Sequence, residues 1–333
     1  MSPLAIGLVG AGGIGSTYVE VLGQLDEAGL AVVCDLDRDL GTSVAAANGA
    51  VFTDDYRSLA GVDAVIIATP PATHPDVARR FLRDGIPVLC EKPLAIDIPS
   101  ARSMVEEARR SDTILTMASK FRYVPDISTA RSFIRSGTIG EVVLYENTFA
   151  SRVDMTDRWN AVSEISGGGV LIDNGTHSLD IARYLLGPIA QVLAIEGHRV
   201  QDVAVEDTAR IFFTTEDSVA GTIDLSWSVN KERDSFIEIY GSEGVIKIGW
   251  NASSYRLDAA DEWVQFGHGY DKLEAMTAQV RNFVGAVNGT ERLLIEAADG
   301  IASVAVVEAA YASLNSPNWI VVAQETDTDR VVA

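Results

Sequence analysis

Asp173 and His177 are the two residues of this chain whose types and spacing most directly suggest chemistry. Both lie in the stretch from Gly167 to Asp180, where three glycines precede an apolar helical pattern. Residues four apart share one face of a helix, and Asp180 lies near that face one turn later. A carboxylate beside an imidazole can take up and release a proton. The same pattern also suits ordinary structure, so the rest of the chain must decide between the two.

The composition favours a two-domain protein that binds neither nucleic acid nor membrane. The chain has 333 residues, and its hydrophobic content of 47% supports a large core. Its net charge of −21 repels phosphate backbones and anionic lipid surfaces, and no apolar run reaches the roughly 20 residues that span a bilayer. Cys34 and Cys90 each end an apolar run, which is typical of buried thiols in a reduced compartment. We therefore expect a cytoplasmic protein, and no metal site is predicted.

The start of the chain has the pattern of a dinucleotide-binding loop. The predicted strand Leu4–Val9 leads into the spacing G-x-G-x-x-G and then into a helix that extends to about Leu25. In such loops the first glycine permits a tight turn, the second lets backbone N–H groups approach a pyrophosphate, and the third lets helix and strand pack closely. A plain strand–helix turn is the alternative. The predicted cofactor-binding residues of this loop are Gly10, Gly12, Gly13, Ile14 and Gly15.

A carboxylate after the second strand indicates which dinucleotide is bound. Asp35 follows the predicted strand Leu30–Cys34 and lies 20 residues beyond Gly15. A carboxylate there accepts hydrogen bonds from both ribose hydroxyls and repels a 2′-phosphate, which predicts NAD rather than NADP. Two alternatives stay open. Asp35 could cap a helix, and the nearby Arg38 could receive a phosphate group.

Continued alternation of strands and helices brings further residues to the same edge. Strands at 64–68, 87–90 and 114–118 alternate with helices at 75–84 and 99–111, which predicts a doubly wound parallel sheet covered on both faces. Ligands bind beyond the carboxyl ends of such strands, so the segments that follow them should converge on one crevice. The predicted cofactor-binding residues of these segments are Thr69, Pro70, His74, Glu91 and Lys92.

Lys92 is distinguished from other loop lysines by the proline that follows it. Pro93 restricts Lys92 to an extended conformation, and the Lys–Pro bond can be cis. Either arrangement points the ammonium group in a defined direction. The alternative is an ordinary surface lysine. His74 likewise either lines the crevice or only precedes a helix.

Residues 121–333 are predicted to form a second, α+β domain, after a first domain at 1–120. A helix at 124–136 and a strand at 141–149 precede the helix that carries Asp173 and ends near Leu186. Six predicted strands then follow without intervening helices, which indicates a large, mostly antiparallel sheet with one open face. Two helices and a short strand complete the pattern. Sugars favour aromatic faces and forked donors, so the substrate candidates are Arg122, Tyr123, Arg152, Arg158 and Trp159, with core packing and solvated surface as the alternatives.

Three motifs in this order resemble one known family. They are the loop G-A-G-G-I-G, the tripeptide Glu91-Lys92-Pro93, and the run G-G-G-V-L-I-D-N-G-T-H at 167–177. Together they resemble the glucose–fructose oxidoreductase, inositol dehydrogenase and rhizopine-catabolism (Gfo/Idh/MocA) family over essentially the whole chain. The resemblance implies a Rossmann domain followed by a domain with a large open sheet, through which members usually form dimers or tetramers. It also implies oxidation of a secondary hydroxyl of a sugar or cyclitol, or reduction of the ketone, with NAD or NADP.

By the same resemblance, Lys92, Asp173 and His177 are the expected catalytic residues. His177 would take the hydroxyl proton as hydride leaves the neighbouring carbon, and Asp173 would orient the imidazole or hold a neighbouring hydroxyl. Lys92 would donate to the reacting oxygen, although it could also exchange the proton role with His177. The expected protein is an NAD(P)-dependent oxidoreductase acting on CH–OH groups, a homodimer or homotetramer, with a small sugar or cyclitol as its partner.

Two other functions remain as alternatives. One is an NADP-linked reductase of ketosugars or sugar nucleotides in a biosynthetic pathway. The other is a non-catalytic, dinucleotide-binding regulator, which the presence of both Lys92 and His177 disfavours.

Initial rates with the two dinucleotides test the Asp35 argument. We expect a higher kcat/KM with NAD, because the carboxylate repels the 2′-phosphate of NADP. A comparable kcat/KM with NADP would contradict this prediction.

Overall fold

A parallel sheet forms the centre of the N-terminal part of the chain. The computed structural model describes residues 2–323. The elements of this part are β1 (Leu4–Val9), α1 (Gly13–Leu22), β2 (Ala28–Cys34), α2 (Arg38–Ala47), β3 (Val51–Thr53), β4 (Ala64–Ile67), α3 (His74–Arg83), β5 (Val88–Glu91), α4 (Ile98–Arg110) and β6 (Leu115–Ala118). Within the described range its six strands lie in the order β3-β2-β1-β4-β5-β6, and all adjacent pairs are parallel. This is the Rossmann order, so the predicted fold class is confirmed.

Two elements of this sheet layer are absent from the sequence prediction. Helix α2 buries only Gly41 and Ala45, and β3 has three residues, none of them buried. Neither segment therefore has the apolar periodicity that identifies a core element from sequence.

A second sheet of nine strands is found in the rest of the described chain. Its elements, with those that follow, are α5 (Pro125–Arg135), β7 (Val142–Ala150), α6 (Ser163–Ser166), α7 (Val170–Leu186), β8 (Ile189–Glu196), β9 (Thr208–Thr215), β10 (Ala220–Ser226), β11 (Ser235–Gly241), β12 (Gly244–Gly249), β13 (Ser253–Leu257), β14 (Val264–Gly267), α8 (Lys272–Val287), α9 (Ala297–Leu314) and β15 (Ile320–Val321). The order is β14-β13-β12-β11-β7-β10-β9-β8-β15. Among the described strands of this sheet, only β7 and β10 pair in parallel, so the predicted mostly antiparallel sheet is confirmed.

The two faces of this sheet differ in what covers them. On one face, Gly175 of α7 lies close to Leu225 and Ile211, and the absence of a side chain on Gly175 lets the helix approach the strands. The pairing register places Leu144 and Ile195 on the opposite face, where both are about half exposed. Helix α7 is thus a core element of this part of the chain.

The chain forms two compact units, and their boundaries differ from the predicted domains. The first unit consists of the residues up to Lys120 together with Lys272–Ile301, and the second consists of Phe121–Asp271 together with the residues from Ala302. The segment 272–301 therefore belongs with the first unit and not with the second. The reason is that Met276, Val280 and Phe283 of α8 are buried in the same apolar cluster as β1 and α1.

Helix α9 is long and apolar enough to cross a membrane by composition alone. However, 56% of it is buried inside the protein. Apolar helices in protein cores pass the same test of length and composition, so the helix is weak evidence for a membrane span.

Candidate functional site

The glycines of the first loop are of two kinds: at some a side chain would clash with the protein, and at others a side chain would have open space around it. Gly10 has a φ of +96°, and a Cβ there would lie 2.7 Å from the carbonyl oxygen of Ala68. A Cβ at Gly15 would lie 2.1 Å from the carbonyl oxygen of Gly10. At Gly12 and Gly13, in contrast, a Cβ would meet no described atom within 4 Å. These two glycines fill no packing need of the protein, so they leave backbone accessible to a ligand, as the dinucleotide prediction requires.

The start of α1 suits a negatively charged group. Its N-cap residue is Gly12, no side chain caps it within the described residues, and its first turn contains no acidic residue. A helix N-terminus carries a partial positive charge and N–H groups that point outward. The first turn of α1 can therefore bind the pyrophosphate of a dinucleotide, while Ile14 packs against the core beneath.

Asp35 is held in a fixed orientation at the end of β2. One carboxylate oxygen accepts the N–H of Ala11 at 2.7 Å, and the other accepts the N–H of Asp37 at 2.8 Å. An ionised carboxylate has about four acceptor positions, so both oxygens keep capacity for ribose hydroxyls. The N-cap of α2 is Asp37, which removes helix capping as an alternative role for Asp35.

Two further features around Asp35 bear on the choice of dinucleotide. Arg38, the alternative phosphate ligand, is paired with Asp54. This pairing compensates part of the guanidinium charge, which weakens Arg38 as a ligand for a 2′-phosphate and favours NAD. Leu36 leaves 91% of its surface exposed directly after Asp35. An apolar side chain in this position suits the face of an adenine ring, and no motif in the sequence marks it.

His74 connects the loops that follow β4 and β5. It is completely buried, and its ring nitrogens lie 2.8 Å from the carbonyl oxygen of Thr69 and 3.0 Å from that of Pro93. Burial lowers the pKa of His74. The geometry therefore places the His74 ring between the two loops, with the carbonyl oxygen of Thr69 near one nitrogen and that of Pro93 near the other.

The Lys92 turn is supported from below by a buried carboxylate. The Lys92–Pro93 peptide bond is cis. Glu91 is 9% exposed, and it accepts the backbone N–H of Lys92 at 3.1 Å and the hydroxyl of Tyr18 at 2.7 Å. Gln279 of α8 in turn donates to Tyr18 at 3.1 Å. Tyr18 and Gln279 are functional supports that the sequence prediction does not contain, because their partners lie 73 and 261 positions away.

Asp173 and His177 lie on α7 in the second unit, as the spacing predicts. His177 is 8% exposed, and the ring of Phe121 meets it edge-on with centroids 5.1 Å apart. Phe121 also stacks on Tyr270 with centroids 4.8 Å apart. Apolar rings around the imidazole limit the access of water from that side, which suits a proton-transfer group.

Asp180, one turn beyond His177, has a structural partner. Its two carboxylate oxygens accept Nε and Nη2 of Arg122 at 2.9 and 2.6 Å. Asp180 is completely buried and Arg122 is 4% exposed. Removing one partner of such a pair would leave a buried charge uncompensated, typically at a cost of about 3–5 kcal/mol. Arg122 therefore serves the interior of the second unit, and this placement does not support it as a substrate ligand.

The other substrate candidates lie at the surface of the second unit. Tyr123 is half-buried, whereas Arg152 and Arg158 are exposed and Trp159 is 43% exposed. Gln201 holds the loop that carries Arg152, because its side chain accepts the N–H of Met155 and donates to the carbonyl oxygen of Val153. An exposed indole on a loop held in this way can present a flat face to a sugar ring.

The geometry thus groups the predicted residues by unit. The glycine loop, Asp35, Thr69, Pro70, His74, Glu91 and Lys92 belong to the first unit, and all follow the carboxyl ends of its parallel strands. Asp173, His177 and the surface candidates belong to the second. This combination is typical of a dinucleotide-dependent oxidoreductase. The Rossmann-type unit has the carboxylate of an NAD site and a lysine whose backbone N–H is hydrogen-bonded, and the second unit has a buried histidine.

Comparison with known proteins gives the family. A model described as the oxidoreductase family with an NAD-binding Rossmann fold matches residues 4–119, and the model of the GFO/IDH/MocA C-terminal domain matches residues 127–247. The chain belongs to the Gfo/Idh/MocA family of oxidoreductases.

Named relatives match along nearly the whole chain. Inositol 2-dehydrogenase of Rhizobium meliloti is 27% identical over 95% of this chain and 98% of its own length. Inositol 2-dehydrogenase of Rubrobacter xylanophilus is 29% identical over 94% of this chain and 91% of its own. Among solved structures, levoglucosan dehydrogenase in complex with NADH and levoglucosan has a TM-score of 0.90 at 22% identity, covering 97% of this chain and 100% of that one. This last similarity concerns the fold.

Replacing Tyr18 by phenylalanine tests the buried support of the Lys92 turn. The change removes the hydroxyl that Glu91 accepts, and we expect the free energy of unfolding in urea to fall by about 1–3 kcal/mol because a buried acceptor loses its donor. Tyr145→Phe is the matched control, since the Tyr145 hydroxyl is buried with no hydrogen-bond partner among the described residues. If both variants lose the same free energy, Tyr18 does not support Glu91.

Proposed function

We propose that this protein is an NAD-dependent dehydrogenase that oxidises a secondary hydroxyl of a sugar or cyclitol, or reduces the corresponding ketone. The observation that carries the proposal is the buried His177, one helical turn after Asp173 on α7. It occurs in a chain whose other unit has an NAD-type ribose carboxylate in Asp35 and a held lysine in Lys92. Similarity to two inositol 2-dehydrogenases over more than 90% of the chain supports the substrate class.

The residues of the chain would divide the chemistry between them. When bound, NAD supplies the acceptor of a hydride, or NADH its donor. His177 takes the proton of the substrate hydroxyl, because an imidazole can accept a proton near neutral pH. Lys92 donates a hydrogen bond to the same oxygen and stabilises the negative charge that develops on it. Asp173 orients the imidazole or binds a neighbouring hydroxyl.

The proposed chemistry explains why both functional segments have fixed backbones. General acid–base groups contribute about 10²- to 10⁴-fold to a rate only when they are positioned at the reacting atom. The backbone of the Lys92 turn is held because Glu91 binds the N–H of Lys92 and His74 lies against the carbonyl oxygen of Pro93, which supports the proposed role of Lys92. The burial of α7 along almost its whole length supports the proposed role of His177 in the same way.

We also propose that copies of the chain associate through the nine-stranded sheet. Leu144 and Ile195 lie on its open face and are 49% and 53% exposed. Partly exposed apolar side chains on an open sheet face favour an interface with a second copy. Light scattering that gives the mass of a single 35.6 kDa chain in dilute solution would contradict this proposal.

A substrate panel tests the proposed reaction. Cyclitols, aldoses and uronic acids are mixed with NAD and the protein, and the absorbance of NADH is followed. We expect at least one cyclitol or aldose to reduce NAD. The control is His177→Asn, in which the rate with that substrate should fall by about 10²- to 10⁴-fold because proton transfer is lost. No NADH with any member of the panel would contradict oxidation of a free sugar or cyclitol and would favour a nucleotide-linked or ketone substrate.

A further inference from the structure

The start of α7 is capped by two distant residues. Gly169 stands at the N-cap, and it has no side chain that could cap the helix. The first N–H groups of a helix lack partners within the helix and need them elsewhere. Here Glu206, just before β9, and Tyr311, on α9, provide them.

The two residues together satisfy four consecutive amides. Glu206 Oε1 accepts the N–H groups of Gly169 and Leu171, each at 3.0 Å. The backbone carbonyl of Glu206 accepts the N–H of Val170 at 2.9 Å. The Tyr311 hydroxyl accepts from Gly169 at 3.1 Å and from Ile172 at 3.3 Å, and it donates to Glu206 Oε1 at 2.7 Å. All four of these amides at the start of α7 are thus bound by Glu206 or Tyr311.

This arrangement explains the glycines that precede the helix. Gly168 has a φ of +156°, and a Cβ there would lie 1.9 Å from the Tyr311 hydroxyl. A Cβ at Gly169 would lie 2.1 Å from the backbone oxygen of Glu206. Any larger residue would displace one of the two capping groups. The two glycines are therefore needed for the close approach of Glu206 and Tyr311.

Burial makes the capping pair a rigid support. Glu206 is 5% exposed, and burial raises its pKa, opposed by the hydrogen bonds of Tyr311, Leu171 and Gly169. All three donors to the side chain use the same oxygen, Oε1. A glutamine at this position can keep that acceptor, and it replaces the negative charge and the second oxygen with a neutral NH2 group.

We propose that Glu206 and Tyr311 are positioning residues for the reaction: they fix the first turn of α7 and thereby the place of Asp173 and His177. This inference rests on the proposed function, in which His177 handles the proton. His177 lies eight residues beyond Gly169, a helical rise of about 12 Å, so neither capping residue needs to touch the substrate. A tilt or slip of the first turn would be carried along the helix to the imidazole.

Steady-state kinetics with three variants test the positioning role. Tyr311→Phe and Glu206→Leu each remove one of the two side-chain caps, and we expect kcat to fall by about 10- to 100-fold, because a misplacement of about 1 Å can cost that much. KM for the substrate and the Kd for NADH, measured by fluorescence, should change less than about threefold, since only the placement of the proton acceptor is altered. Glu206→Gln keeps the acceptor and should retain kcat within the same threefold range. Tyr145→Phe removes a buried hydroxyl with no partner in the described part of the chain, and it should also retain kcat within this range.

Amide hydrogen exchange gives a second measurement that does not depend on turnover. The amides of Gly169 and Ile172 should exchange at least about tenfold faster in Tyr311→Phe than in the wild type, and those of Gly169 and Leu171 should do so in Glu206→Leu, because exchange follows local opening. All of these amides should exchange at the wild-type rate in Glu206→Gln. Unchanged exchange, or faster exchange with an unchanged kcat, would overturn the positioning role. A wild-type protein that oxidises no sugar or cyclitol in the panel would contradict the oxidation named in the proposed function instead, while faster exchange of these amides would still support the cap. Tyr311→Phe removes one oxygen only, so it provides both readouts even if Glu206→Leu does not fold.

Discussion

A buried carboxylate that accepts both a tyrosine hydroxyl and at least one backbone N–H underlies each segment with a proposed catalytic side chain. In the first unit, Glu91 accepts the Tyr18 hydroxyl at 2.7 Å and the N–H of Lys92. In the second, Glu206 accepts the Tyr311 hydroxyl, also at 2.7 Å, and two amides at the start of α7. A buried carboxylate is costly unless its oxygens are hydrogen-bonded. Each carboxylate therefore ties its partners to one geometry, and the backbone beside it is fixed.

This constraint gives the sequence motifs a physical meaning beyond the residues that do chemistry. In Glu91-Lys92-Pro93, the glutamate holds the amide of the lysine, and the carbonyl oxygen of the proline lies 3.0 Å from a ring nitrogen of His74. In the glycine run before α7, Gly168 and Gly169 leave the space that Tyr311 and Glu206 occupy. The glycine loop after β1 follows a different logic, because Gly12 and Gly13 have no packing neighbour among the described residues. The glycines before α7 thus leave space for protein groups, whereas those after β1 leave space for a ligand.

The parts of the structure that sequence could predict are those with local or periodic signals. The alternating apolar runs give the Rossmann sheet, and the acid after β2 gives the choice of NAD. Supports made across long separations leave no such signal: Tyr18 meets Gln279 over 261 positions, and Glu206 meets Tyr311 over 105. Arg122 shows a different difficulty, because its position in the sequence suggests a ligand but does not predict the buried pair that it forms with Asp180. The segment 272–301 belongs with the first unit, unlike in the predicted domains. The apolar face of α8 predicts that the helix is buried, but it does not predict which sheet the helix packs against.

We propose that Lys92 and His177 act on the same substrate oxygen in one step. A double-mutant cycle in kcat tests it with Lys92→Met, His177→Asn and the double variant. Residues that act as a unit show strongly non-additive effects. We expect each single change to lower kcat by about 10²- to 10⁴-fold and the double variant to be about as slow as the slower single one. If the two reductions multiply in the double variant, Lys92 and His177 act independently and the claim is wrong.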